Sequence, residues 1–265
     1  MMKVGFIGLG VQGKYLAINL AEAGYDLVAY DLRPEPLSEV VAHGAKKANS
    51  NREVGAHAEV ICICVLNGQQ TLDVVLAPGG VLAAAKPGSV IAIHGTIEPA
   101  ILAQLAKAAE LRGVELIDAP VSGSEPGAKA KTMSYMVGGS VQAFEKCRPI
   151  FETSGKNVIH TGDSGTGIRA KLAHQLIICV NMLAAYEGMR LGIDAGLSPE
   201  ILERVIATGG GQSRVAERWF KLKLGPHAQG VFYKDLQLCL QYAHELNIPV
   251  PGAALAQQLL DKIVP

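Results

Sequence analysis

The sequence predicts an α/β fold: a doubly wound, mostly parallel sheet over residues 1–163, then an all-helical domain over 164–265. Three observations carry this. Over the first 160 residues, short apolar runs alternate with helix-patterned stretches, as expected of strands covered by helices on both faces. Near residue 165 the strand pattern stops. One helical run then continues from 166 to about 195, roughly 45 Å at 1.5 Å per residue, and only helix patterns follow it.

Taken in order, strands are expected at 3–7, 27–30, 60–65, 90–93, 115–117, 134–137 and 157–160, where Val, Ile and Leu cluster. Helices are expected between them at 12–23, 35–42, 69–76, 97–111 and 141–153. Gly24, Gly44 and Gly113 are helix stops, since glycine accepts left-handed dihedrals at little cost. In the second domain Ser198-Pro199-Glu200 reads as a helix start: a Ser cap, Pro in the first turn, then an acid at the positive end. Gly209-Gly210-Gly211 ends that helix. Further helices are expected at 213–223, 233–246 and 252–263, with Pro249 and Pro251 as punctuation.

Composition removes several function classes. The 265 residues are 49% hydrophobic, and 24 Lys+Arg balance 24 Asp+Glu. Disorder needs low hydrophobicity and high net charge, which this chain lacks. A general nucleic-acid or anionic-membrane binder carries a basic excess, so neither partner is expected. Five cysteines, at 62, 64, 147, 179 and 239, read as buried free thiols of a cytoplasmic protein, with no metal site. The N-terminal run is broken by glycines, Gln12 and Lys14 and does not read as a signal peptide. The apolar stretch 172–193 contains His174, Gln175, Asn181, Glu187 and Arg190, which reads as too polar for a membrane span.

The sharpest motif is Gly8-Leu9-Gly10-Val11-Gln12-Gly13. It follows a strand and opens a helix, the context that gives G-x-G-x-x-G its meaning. Gly8 permits the tight turn, Gly10 lets a pyrophosphate approach the backbone, and Gly13 lets helix and strand pack closely. The helix start offers N–H groups and a partial positive charge to the anion. Asp31 ends the second strand, where a carboxylate accepts from both adenosine ribose hydroxyls and repels a 2′-phosphate. NAD is therefore favoured over NADP. Arg33, two residues on, is the group that would meet a 2′-phosphate.

Four motifs now stand in order: Gly5-Phe6-Ile7-Gly8-Leu9-Gly10, Asp118-Ala119-Pro120-Val121-Ser122-Gly123, Gly165-Thr166-Gly167 with Lys171, and Lys234-Asp235-Leu236. Together they resemble the β-hydroxyacid dehydrogenase family over essentially the whole chain. The resemblance implies a Rossmann-type nucleotide-binding domain, a helical substrate domain, and a homodimer or homotetramer built through the helical part. It implies interconversion of a small 3-hydroxy acid with its 3-oxo acid or semialdehyde, with a small carboxylate as substrate. By motif position Lys171 is the general acid/base; burial or a neighbouring cation lowers a lysine pKa toward neutrality. Ser122, Gly123 and Ser124 supply a hydroxyl and successive amides as a carboxylate cradle. Thr96 is expected to cap the helix near Ile97 and, by resemblance, to lie at the nicotinamide end of the cofactor. Lys234 resembles the family's cofactor-contacting lysine, and Asp235 is expected to orient it or its helix. Phe232 is placed to line the pocket, and Val65 and Leu66 to pass beside the cofactor through backbone contacts.

The chain also departs from the family pattern. Gln175, sharing a helix face with Lys171 at i, i+4, stands where the family has Asn, and is expected to orient the reacting oxygen. Ser124 replaces a glycine, Gln12 a methionine, and His94-Gly95-Thr96 an Asp-x-Ser-Thr pattern. The chain is some 25–30 residues shorter than the family pattern implies, which suggests a missing terminal helix. These departures motivate a second reading, a dinucleotide-binding protein with altered catalysis. A third is an imine reductase on the same fold.

Overall fold

The structure is a computed structural model that describes residues 2–264. It divides into two compact units between Lys171 and Leu172. In the first, strands β1 (Lys3–Ile7), β2 (Asp26–Tyr30), β3 (Lys46–Lys47), β4 (Val60–Ile63), β5 (Val90–Ile93) and β6 (Glu115–Asp118) pair in parallel in the order β3-β2-β1-β4-β5-β6. The sheet then continues through β8 (Met133–Gly138), antiparallel to β6, with β7 (Val121–Ser122) antiparallel and β9 (Gly155–Gly162) parallel to β8. The order reverses at β1, between β2 and β4, which makes the crevice there the switch point of a doubly wound sheet.

The central strands are apolar throughout because both faces are covered. β4 and β5 are buried at every position. Helices α1 (Gly13–Glu22), α2 (Pro34–Ala42), α3 (Asn51–His57), α4 (Gly68–Leu76), α5 (Pro99–Glu110), α6 (Ser124–Lys129) and α7 (Val141–Glu152) supply the cover. Every expected strand is present, and so are the five expected helices of this unit. Five short elements were not expected: β3, β7, α3, α6 and a 3₁₀ turn at Val81–Ala83. Each has two to seven residues, too few to show a period.

Helix α8 (Thr166–Asp194) crosses the division between the units. Its first turn belongs to the first unit for a physical reason. Asp118, fully buried at the end of β6, accepts from the amides of Gly165 at 2.7 Å and Ile168 at 2.6 Å. These are N–H groups that a helix start leaves without an intrahelical partner.

The second unit is helical, as expected: the rest of α8, then α9 (Pro199–Thr208), α10 (Gly225–Glu245), α11 (Pro251–Gln258) and α12 (Leu260–Ile263), with a 3₁₀ segment at Ala216–Lys221. Ser198 caps α9, its hydroxyl accepting from the Ile201 amide. Helix α10 starts eight residues before the expected 233. The expected helix 252–263 is split at Leu259. Cys179, Met182 and Leu183 of α8 share a core with Leu236, Ala253, Leu260 and Ile263. Helix α8 corrects one expectation. By length and composition it is apolar enough to cross a membrane, a test that the core helix of a folded domain also passes. Its buried stripe at Leu172, Gln175, Cys179, Met182 and Met189 follows the spacing of a helix packed on one face.

Candidate active site

Parallel pairing brings the strand ends into line. Ile7 is opposite Tyr30 and Ile63, Ile63 is opposite Ile93, and Ile93 is opposite Asp118. The loops carrying Gly8 to Gly13, Asp31 to Arg33, Val65 and Leu66, Thr96, and Ser122 to Ser124 therefore all leave one edge of the sheet. In open parallel sheets this is the edge where ligands bind.

The glycine loop has the geometry its spacing implies. Gly8 has φ +90°, and a Cβ there would strike the Cys64 carbonyl. A Cβ on Gly13 would strike the carbonyl of Gly8. Gly10 is different: a Cβ there meets nothing within 4 Å, so its outer side is open. Val11 is exposed, Gln12 stands at the N-cap of α1 without a side-chain cap, and Leu9 is a core residue. The Leu9 amide is bonded to Asp31 Oδ2 at 2.6 Å. This arrangement fits a dinucleotide: a tight turn, an open glycine face toward the phosphates, and a carboxylate beyond the next strand.

Asp31 is held from several directions. Oδ1 accepts from the Arg33 amide at 2.8 Å and from Arg33 Nε at 3.1 Å, and Arg33 also donates to Leu9 O. Burial pushes the carboxyl up, but the guanidinium and the two amides outweigh it and hold Asp31 below its ordinary value. It is ionised at neutral pH.

Val65 is half-buried and Leu66 exposed. The Leu66 amide donates to Gln70 Oε1 at 2.9 Å, while Asn67 Oδ1 accepts from the Gln70 amide at 2.9 Å. This pair fixes the start of α4 beside the crevice. It was legible as Asn67-x-x-Gln70, a capping-box spacing.

Thr96 does not cap α5, contrary to the expectation. The helix begins at Pro99 with Glu98 extended at the N-cap, because a residue before proline avoids the helical region. Thr96 is buried two residues upstream of that cap. His94 is also buried, against Phe6, Tyr135 and Phe151, with Nδ1 2.9 Å from the Ala119 carbonyl. Burial lowers its pKa to about 4, so it is neutral and packed into the core. Burial likewise pushes the Cys64 and Cys147 thiols up to about 12, which leaves them inert.

In the carboxylate-cradle sequence, Gly123 has φ +141° and Ser124 has φ +53°. Ser124 thus adopts a left-handed conformation that glycine reaches more easily. Lys171 is buried, at 6% exposure, three residues beyond the Ile168 amide that Asp118 anchors. In the helical unit Gln175 is buried at 4% and donates through Nε2 to Asp235 Oδ2 at 2.6 Å. Lys234 Nζ lies 2.7 Å from Asp235 Oδ1. Phe232 is half-buried against the helical core. The Gln175–Asp235 bond joins residues 60 apart, and no spacing rule connects them.

Comparison with known proteins agrees with this picture. Residues 3–162 match the family described as the NAD binding domain of 6-phosphogluconate dehydrogenase. Residues 165–264 match that described as NAD-binding of NADP-dependent 3-hydroxyisobutyrate dehydrogenase. The chain is 36% identical to 2-(hydroxymethyl)glutarate dehydrogenase of Eubacterium barkeri, over 98% of this chain and 88% of that protein. It is 34% identical to 2-hydroxy-3-oxopropionate reductase of Escherichia coli, over 98% and 90%. Among solved structures, a Mycobacterium tuberculosis 3-hydroxyisobutyrate dehydrogenase with L-serine superposes with TM-score 0.89 at 28% identity, covering 99% and 93%. An imine reductase from Pseudomonas sp. shares the fold, with TM-score 0.67 at 20% identity over 98% and 92%. Both family descriptions name a nicotinamide dinucleotide as the bound cofactor. This chain is a member of the β-hydroxyacid dehydrogenase family, an NAD(P)-dependent oxidoreductase acting on CH–OH donors.

Proposed function

We propose that the chain interconverts a small 3-hydroxy acid and its 3-oxo acid or semialdehyde, with Lys171 as the general acid/base. The observation that carries this is a buried lysine on the first turns of α8, whose start is pinned to the ligand-binding edge of the sheet by Asp118. In oxidation Lys171 Nζ takes the hydroxyl proton, and in reduction it returns it. Ser122, Gly123 and Ser124 hold the substrate carboxylate. Gln175 orients the reacting oxygen, and Phe232 lines the pocket. When bound, the nicotinamide supplies the hydride acceptor or donor. Gly8, Leu9, Gly10, Val11, Gln12 and Gly13 cradle its pyrophosphate. Val65, Leu66, Thr96 and Lys234 lie along the rest of the cofactor.

Asp31 supports NAD over NADP, since an ionised carboxylate at the ribose repels a 2′-phosphate. The functional boundary is placed at 163/164. Exposed Ile177, Leu191, Ile193, Ile201 and Val205 of the helical unit support a homodimer or homotetramer through that part. The buried cysteines at 62, 147, 179 and 239 support a cytoplasmic setting.

The test is initial-rate nicotinamide absorbance with NAD(H) and NADP(H) against a panel of 3-hydroxy acids and their semialdehydes. Lys171→Ala is expected to lose about 100-fold or more of kcat, the scale of general acid/base catalysis, with NADH affinity retained. Full turnover in that variant would falsify the mechanism. Cofactor binding without turnover of any panel member would favour the catalytically altered reading.

A further inference from the structure

The second unit buries a charged group whose partners come from two helices. Asp235 on α10 is 2% exposed. Its Oδ2 accepts from Gln175 Nε2 on α8, and its Oδ1 meets the ammonium of Lys234, the residue before it. Burying a carboxylate is unfavourable, and an apolar residue of similar volume commonly serves stability as well or better. Stability therefore gives no reason for Asp235 to be there.

The chemistry of the contact supplies one. A carboxylate accepts hydrogen bonds and donates none. The Gln175 amide must therefore present its NH₂ to Asp235, which turns Oε1 to the other side. A glutamine has three side-chain torsions, and this one bond fixes which way its amide faces. The same carboxylate also holds Lys234.

We propose that Asp235 is a positioning residue that locks the orientation of the Gln175 amide and ties it to Lys234, so that substrate-side and cofactor-side groups share one anchor. The inference rests on the role given above to Gln175. It makes the glutamine part of a built site, with α10 supplying its counterpart.

The test is a double-mutant cycle. Asp235→Asn and Gln175→Leu are made singly and together, and folding is checked by circular dichroism and thermal melting. Each single variant is expected to lose roughly 10- to 100-fold in kcat, the scale of a misplaced reacting group. The double variant is expected to lose no more than the worse single one, because Asp235→Asn unlocks and Gln175→Leu removes the same contact. NADH affinity, read by fluorescence, is expected to weaken in Asp235→Asn but not in Gln175→Leu. If Asp235→Asn does not fold, Gln175→Leu carries the test: it is expected to lower kcat with NADH affinity unchanged, and full kcat there overturns the proposal. If the wild type turns over and the kcat losses multiply, this inference alone fails. If the wild type turns over nothing on the panel, the functional reading fails and takes this role with it.

Discussion

Two fully buried carboxylates show how differently the two units solve one problem. In the sheet unit Asp118 takes its hydrogen bonds from backbone amides, those of Gly165 and Ile168. In the helical unit Asp235 takes its partners from side chains, Gln175 and Lys234. The reason is where backbone groups are left over. Strand ends and helix starts expose N–H and C=O groups that no ladder uses, whereas a helix interior uses its own. His94 follows the sheet pattern, bonded to the Ala119 carbonyl, and Asp31 combines the two, taking the amides of Leu9 and Arg33 together with the Arg33 guanidinium. The sheet unit should therefore be sensitive to anything that moves backbone. The helical unit should be sensitive to side-chain chemistry, as the Asp235 and Gln175 variants test.

The largest effect expected of the sheet unit's arrangement is a pH effect. His94 is neutral when folded, with its pKa lowered by burial from 6.5 to about 4. The unfolded chain binds more protons between those values, so stability is present above about 6.5 and is lost as pH falls toward 4. At about 1.4 kcal/mol per pKa unit the full loss is of order 3 kcal/mol. Denaturant melts at pH 7 and pH 4.5 should show it, and His94→Phe should flatten the difference. An unchanged pH dependence would mean that this histidine is not buried neutral.

A smaller effect separates two glycines of one loop. Gly13→Ala puts a methyl into the Gly8 carbonyl. It should destabilise the fold by about 1–3 kcal/mol, the usual range for overpacking, and weaken NADH binding with it. Gly10→Ala meets open space, so its melting temperature should hold while NADH affinity alone falls. Equal behaviour of the two variants, read by thermal melting and fluorescence titration, would break the distinction between a packing glycine and a ligand-facing one.

The smallest effect concerns Ser124 at φ +53°. Ser124→Gly relieves a left-handed conformation but frees the unfolded chain, for a net gain of about 0.5 kcal/mol. If the hydroxyl holds substrate, KM should rise as stability rises. A variant with unchanged KM would remove Ser124 from the cradle.

What the sequence determined by itself was local. A strand, three glycines at fixed spacing and the helix after them lie within 20 residues, and Gly8, Gly10 and Gly13 fold as that spacing demands. The Ser198 cap and the long helix α8 were legible for the same reason. Helix α3 was missed because seven residues show no period, although Ser50-x-x-Glu53 marks its start. Thr96 was misread because one proline three residues later decides where α5 begins. Only the tertiary structure could align the strand ends into one edge, pin α8 to Asp118 and join Gln175 to Asp235. Those contacts span tens of residues, and their partners are chosen by which elements pack together, which no local preference encodes.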